Sequence, residues 1–208
     1  VYNVVDVIKK RCALSDALIK DRRFGELYLL PASQSENKLA IDPDEMKILC
    51  RELSRQFDFV LIDSPAGVER GFENSVSGAD SAVIVVTADA ASLRDADRIA
   101  DILTEQYRIR NIRVLVNRYR PDLVKAGAMT GIESVISMLR VGIVGIIPED
   151  DAVITAASKN MPVISIPDSR AAKCFENIAK RIAGADVPLT RFKNDGLFKR
   201  IFKAIHQK

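Results

Sequence analysis

Five runs of mostly apolar residues punctuate the chain, at 27–31, 57–63, 81–87, 112–117 and 141–147. They are near-continuous rather than alternating at period two, which predicts parallel strands covered on both faces. Between them apolar residues recur at helical spacing. In 92–107, Leu93, Ala96, Ile99, Ala100, Leu103 and Tyr107 share one face of a helix. Asp42 followed by Pro43 predicts a capped start for a helix running through 45–56. Further helices are predicted at 69–78, 131–139, 150–160 and 169–183. Strand and helix in alternation predict an α/β fold, a doubly wound and mostly parallel sheet flanked by helices. In such sheets ligands lie beyond the carboxyl ends of the strands.

The pattern changes after Gly184. Residues 185–196 carry Pro188, Asn194 and Gly196 and read as a linker. The expected organisation is therefore an α/β nucleotide-binding domain at 1–184, a linker at 185–196 and a terminal helix at 197–208. On a helix at about 100° per residue, Leu197, Phe198, Ile201, Phe202, Ala204 and Ile205 fall within an arc of about 160°. Lys199, Arg200, Lys203, His206 and Gln207 occupy the rest. An apolar face of Phe, Leu and Ile opposite a cationic one is the pattern of a helix lying in the plane of an anionic membrane surface. A helix docked on its own domain or on a partner is the alternative. It fits less well, because the polar face carries no Asp or Glu and the preceding segment is polar enough to detach.

The chain has 208 residues, 48% hydrophobic and 28% charged, the balance of one soluble domain with a real core. Its apolar stretches are strand-sized, well short of the roughly 18–20 residues of a membrane-spanning helix. No secretory signal opens the chain. The cysteines, Cys12, Cys50 and Cys174, are far apart and read as reduced thiols of a cytoplasmic protein. His206 is the one histidine, which excludes a histidine-based triad or a multi-histidine metal site. A net charge of +3 implies no nucleic-acid partner by itself.

The strand ends carry the candidate chemistry. The second run closes on Asp63-Ser64-Pro65-Ala66-Gly67. An apolar run ended by an aspartate is the Walker B pattern, whose carboxylate holds a magnesium-bound water beside a nucleotide phosphate. The Pro-Ala-Gly turn lets backbone N–H groups approach that phosphate closely. The competing reading is an aspartate that caps the next turn. After the fourth run, the Asn117 amide offers an acceptor and two donors that suit an adenine edge, with Arg118 beside it. A turn-forming asparagine is the plainer reading. After the fifth, Pro148 is placed to flank a base while Glu149 and Asp150 begin the next helix. No Gly-x-x-x-x-Gly-Lys-Ser/Thr string occurs anywhere in the chain. Val1 is not methionine and 2–8 reads like the middle of a connection, so an N-terminal truncation that removes such a loop is expected.

Asp63-Ser64-Pro65-Ala66-Gly67, Asn117-Arg118-Tyr119, Gly145-Ile146-Ile147-Pro148-Glu149-Asp150 and the basic amphipathic end occur in the same order as in the MinD family. These are deviant-Walker-A ATPases of the wider ParA group that help place the division septum. The resemblance covers essentially the whole chain and is strongest at 57–167 and 196–208. It implies that Asp63 is the Walker B carboxylate linked to Mg2+ and that Gly67 belongs to the switch sensing the γ-phosphate. It implies that Asn117 and Pro148 border the adenine, next to Arg118, Glu149 and Asp150. It also implies ATP hydrolysis, an ATP-dependent homodimer, membrane binding by that dimer, recruitment of MinC and stimulation by MinE. The protein is then expected in the cytoplasm and peripherally on the inner face of a bacterial cell membrane, a plastid source being open too. Lacking the P-loop, these 208 residues alone are expected to be inactive. The alternatives are a ParA-type or other positioning ATPase, and a non-hydrolysing membrane-interaction module.

Overall fold

The computed structural model describes residues 1–33 and 41–190. The chain divides into two compact units, Val1–Asp80 with Gln106–Ile109, and Ser81–Glu105 with Arg110–Lys208.

The first unit is built from short elements, and two of its helices start on side-chain caps. Asn3 caps α1 (Val4–Ile8), accepting from the Val5 N–H at 2.9 Å, while Asp6 returns the bond to the Asn3 N–H. A short helix α2 (Leu14–Ala17) leads into β1 (Ile19–Lys20), which pairs antiparallel with β2 (Tyr28–Leu29). Asp42 caps α3 (Pro43–Leu53), with Pro43 in its first turn and Glu45 completing the reciprocal pair. Then comes α4 (Arg70–Ser77), entered through Glu69. Leu14, Leu49 and Leu53 form this unit's core, with Phe57 packed against it. At Gly78 a Cβ would lie 2.5 Å from Cys50 Sγ, so the end of α4 sits directly on α3.

Two of the sequence expectations change here. Run 27–31 does not form a parallel strand; only Tyr28 and Leu29 pair, antiparallel and two residues deep. Run 57–63 joins no ladder among the described residues, and Phe59 and Leu61 stand 58% and 86% exposed. An apolar run becomes a parallel strand only where a neighbouring strand completes its hydrogen bonds. The described residues of this unit supply none for 57–63.

The second unit carries the doubly wound α/β architecture. Its strands β3 (Ser81–Val86), β4 (Asn111–Tyr119) and β5 (Gly142–Pro148) form a parallel sheet in that order. The connections are α5 (Ala90–Glu105), then α6 (Pro121–Lys125) and α7 (Ile132–Leu139). After β5 follow α8 (Asp151–Ser158) and α9 (Arg170–Ile182). The alternation of side chains along β4 sorts them between two cores. Val114 and Val116 join Leu93 and Ala96 of α5 and Val135 of α7, while Leu115 joins Cys174 and Ile178 of α9. Both faces of β4 and β5 are therefore covered, which is why these two strands read as continuous apolar runs, whereas on β3 Val83 and Val85 stand 42% and 60% exposed. Of the expected stripe, Leu93, Ala96, Ala100 and Leu103 are inside, Ile99 is half-buried, and Tyr107 lies beyond the end of α5. At Gly145 a Cβ would fall 2.2 Å from Ile178 Cγ1, so α9 rests on the bare backbone of β5.

Candidate functional site

In a parallel sheet all the carboxyl ends share one edge, so β3, β4 and β5 deliver their last residues to the same end of the second unit. The end of β4 is bulged. Its register against β5 shifts between Val116 and Tyr119, then resumes with Tyr119 opposite Pro148 and the Glu149 N–H donating to the Tyr119 carbonyl at 3.1 Å. The two residues inside the shift are Asn117 and Arg118. Arg118 has φ +53°, a left-handed conformation that costs a non-glycine residue about 1–2 kcal/mol. The Asn117 side-chain oxygen accepts from the Arg118 N–H at 3.0 Å and holds the turn. A bulge at a strand's carboxyl end re-aims side chains and is a common device beside ligand sites.

The same bulge turns Arg118 toward β5. Its guanidinium donates to Glu149 Oε1 through Nε at 3.2 Å and Nη2 at 2.9 Å. Both side chains are well exposed, 68% and 38%, so the pair contributes under about 1 kcal/mol and is readily opened. Pro148, by contrast, is buried.

Asp150 ties two helices together at this edge. One carboxylate oxygen accepts from the Ala152 N–H at 2.9 Å and caps α8. The other accepts from Ser169 Oγ at 2.9 Å and the Ala171 N–H at 3.0 Å at the start of α9. Ser169 in turn caps α9 by accepting from the Ala172 N–H at 3.0 Å. The Ala171 N–H, foremost among these donors, holds the Asp150 carboxyl below the ordinary aspartate value.

A third strand end escapes inspection of the sequence motifs. Thr87, Asp89 and Ser92 follow β3 and interlock. Asp89 accepts from the Ala91 and Ser92 N–H groups at 3.1 and 3.0 Å and from the Thr87 hydroxyl, and Ser92 Oγ accepts from the Thr87 N–H at 3.1 Å. The Ser92 N–H first of all lowers the Asp89 pKa. The signal was a Thr-x-Asp-x-x-Ser string at the end of an apolar run, a strand end and a helix cap in six residues.

Asp63 and Gly67 belong to the first unit and are exposed. Gly67 has φ +93° with nothing within 4 Å of where a Cβ would stand, so the turn is open. Gly71, in the first turn of α4, has the opposite character: a Cβ there would meet Pro65 Cγ at 2.7 Å. The loop is thus packed at Pro65 and open at Gly67. Among the described residues no three or more His, Cys, Asp or Glu side chains cluster to hold a metal. A lone exposed carboxylate beside an open turn suits Mg2+, which keeps most of its waters and takes one or two protein oxygens.

The structure thus brings Asn117, Arg118, Pro148, Glu149 and Asp150 together at one sheet edge. Leu197, Phe198, Lys199, Arg200, Ile201, Phe202, Lys203 and Ile205 lie outside the described residues. Among the described residues, no helix is long and apolar enough to cross a membrane.

A family model described as cellulose biosynthesis protein BcsQ matches residues 21–182. Septum site-determining protein MinD of Bacillus subtilis is 41% identical over 204 residues, 97% of this chain and 76% of that protein. The Helicobacter pylori MinD is 42% identical over 211 residues, 99% of this chain and 78% of that one. Among solved structures, the MinC:MinD cell division protein complex of Aquifex aeolicus superposes with a TM-score of 0.83 at 36% identity, over 92% of this chain and 77% of that one. The Pyrococcus furiosus cell division ATPase MinD gives 0.75 at 26% identity, over 88% and 75%. The Pyrococcus horikoshii MinD complexed with Mg-ADP gives 0.76 over 90% and 77%, at 23% identity, a likeness of fold.

Proposed function

The chain belongs to the MinD family of septum site-determining proteins, with residues 21–182 also falling within the BcsQ family model, and from that premise we propose that it is the membrane-cycling ATPase of a division-site positioning system. The relatives that extend along nearly all of the chain are septum site-determining proteins, and this favours septum placement over the role named in the BcsQ model.

The observation that carries the nucleotide reading is the bulged end of β4 beside Pro148, where Asn117 and a labile Arg118–Glu149 pair stand at the ligand edge of a parallel sheet. In this reading the Asn117 amide contacts the adenine edge and Pro148 supports the ring. Arg118 and Glu149 part or shift as the base enters, at little cost because their pairing is solvent-exposed. Asp150 acts from behind, fixing the loop by holding the starts of α8 and α9. Asp63 would hold Mg2+ through a water, and the open turn at Gly67 would leave its backbone N–H free for a terminal phosphate. The metal, when bound with ATP, neutralises charge on the phosphates.

ATP-driven dimerisation then makes two terminal helices act together on anionic lipid. Full burial of a large apolar side chain stabilises by roughly 1.5–3 kcal/mol, and interfacial insertion realises part of that. Each lysine or arginine adds about 1 kcal/mol on an anionic leaflet. After the entropy of ordering the segment, a single tail is weak. Joining two raises avidity by about 10²–10⁴-fold. MinC is the expected partner, a reading that the Aquifex aeolicus MinC:MinD complex supports, with MinE as the stimulating factor.

Calorimetric titration of the full-length protein with Mg-ATP tests the site. Asn117→Ala is expected to weaken binding about tenfold, the effect of one lost hydrogen-bonding group, and to lower thermal stability slightly through loss of the bond that holds the Arg118 turn. Unaltered affinity would remove Asn117 from the base pocket.

A further inference from the structure

The segment after α9 does not leave the domain where the helix ends. α9 runs antiparallel to β5. Its start sits at the carboxyl end of the strand, where Ser169 Oγ and the Ala171 N–H donate to Asp150. Its end sits near the strand's beginning, where Arg181 Nη1 donates to the Val144 carbonyl at 2.8 Å and the Arg181 carbonyl accepts from Arg113 of β4 at 3.2 Å. Gly184 then turns the chain with φ +91°, a conformation glycine adopts without penalty. Arg181 grips the returning strand as well: Nε donates to the Val187 carbonyl at 2.7 Å and Nη2 to that of Pro188. Three residues on, Thr190 Oγ1 is 3.5 Å from Cys174 Sγ.

These contacts fix a direction. From Arg181 back to Cys174, α9 covers seven residues, about 10 Å at 1.5 Å each. From Val187 to Thr190 an extended chain covers three, also about 10 Å at 3.3 Å each. Residues 187–190 therefore run back along α9 toward its first turn. At Cys174 they are only about 6 Å of helix short of Arg170, next to the Asp150 junction. Burial lowers the Arg181 pKa, yet a guanidinium keeps its charge. Its donors go to three backbone carbonyls on two segments, an arrangement that suits a clasp.

We propose that residues 185–190 form a strap, with Arg181 as its clasp. The strap returns the chain to the ligand edge of the sheet, so that the lipid-binding tail sets out beside Pro148–Asp150 rather than from the opposite end of α9. Arg181 is then a positioning residue for membrane attachment, and the partner it serves is an anionic lipid surface. This rests on the membrane reading given above for what the tail does, whereas the strap itself is independent of it. The clasp also shortens the tether. With it closed, 191–196 separate the strap from the terminal helix; with it open, 185–196 do, twice the length.

Thr190→Cys in the full-length protein tests the strap directly. Mild oxidation with diamide is expected to join the introduced thiol to Cys174, identified as a linked peptide pair. It should do so about tenfold faster than Ala185→Cys does, because Thr190 Oγ1 already stands 3.5 Å from Cys174 Sγ while Ala185 sits at the far end of α9. Adding Arg181→Ala should abolish that advantage. Equal rates at the two positions in otherwise unaltered protein would overturn the strap, whatever Arg181→Ala does to folding. A second arm uses ATP-loaded protein on phosphatidylglycerol vesicles, with phosphatidylcholine as the comparison. Arg181→Ala should bind about threefold more weakly, since effective concentration falls with roughly the three-halves power of tether length, and the disulfide-locked protein should bind like its reduced form. Loss of binding on locking would overturn the strap's role at the membrane. No binding by locked, reduced or unaltered protein, with the cross-link still forming, would refute the membrane reading and leave the strap established.

Discussion

At the scale of single residues, Asp150 shows how a group at a ligand edge can be committed to architecture. Both carboxylate oxygens are engaged, by Ala152 on one helix and by Ser169 and Ala171 on the other. Asp150→Asn keeps the cap of α8 but turns an N–H pair toward two donors. The expected loss is about 1–3 kcal/mol, measured by chemical denaturation. Because the folded-state pKa is depressed, the contribution is present above the unfolded aspartate value near about 4 and is lost as pH falls through the lower folded value. The stability gap between native protein and variant should therefore close on acidification. A gap that stayed constant with pH would mean the carboxylate charge plays no part. Sequence reading placed Asp150 correctly as a helix start, but the bonds to Ser169 and Ala171 are tertiary, nineteen and twenty-one residues away, and no local pattern encodes them.

At the scale of elements, legibility followed hydrogen-bond closure. The helices α3 (Pro43–Leu53) and α5 (Ala90–Glu105) were readable because capping residues and an apolar stripe are local signals, though their ends differ from the expected ones by two to three residues. The runs that became β3, β4 and β5 were readable because each has a neighbour in the same unit. Run 57–63 carries the same apolar signal and forms no ladder, since strand formation depends on partners that periodicity cannot reveal. The bulge at Asn117–Arg118 was hidden for a related reason: it exists only relative to β5. Where β5 meets α9, packing leaves no room. Gly145→Ala would set a methyl 2.2 Å from Ile178 Cγ1. A destabilisation of about 1–3 kcal/mol or more is expected from overpacking, read as a lower melting temperature. Retained stability would mean that α9 can lift from the strand, and the strap behind it would move as well.

At the scale of the whole molecule, the account joins a nucleotide edge to a lipid-binding end. The 208 residues contain no Gly-x-x-x-x-Gly-Lys-Ser/Thr cradle for phosphates. On their own they are expected to show no ATP turnover above background in a phosphate-release assay, while the full-length protein turns over; family-like turnover by the 208 residues would contradict that. On the proposed reading a single tail binds lipid weakly, so attachment should report dimerisation, and dimerisation should report ATP. The most direct test is sedimentation of the full-length protein with phosphatidylglycerol vesicles in Mg-ATP and in Mg-ADP. The account predicts co-sedimentation with ATP at least about 10²-fold tighter than with ADP. Equal binding in the two nucleotides would contradict it.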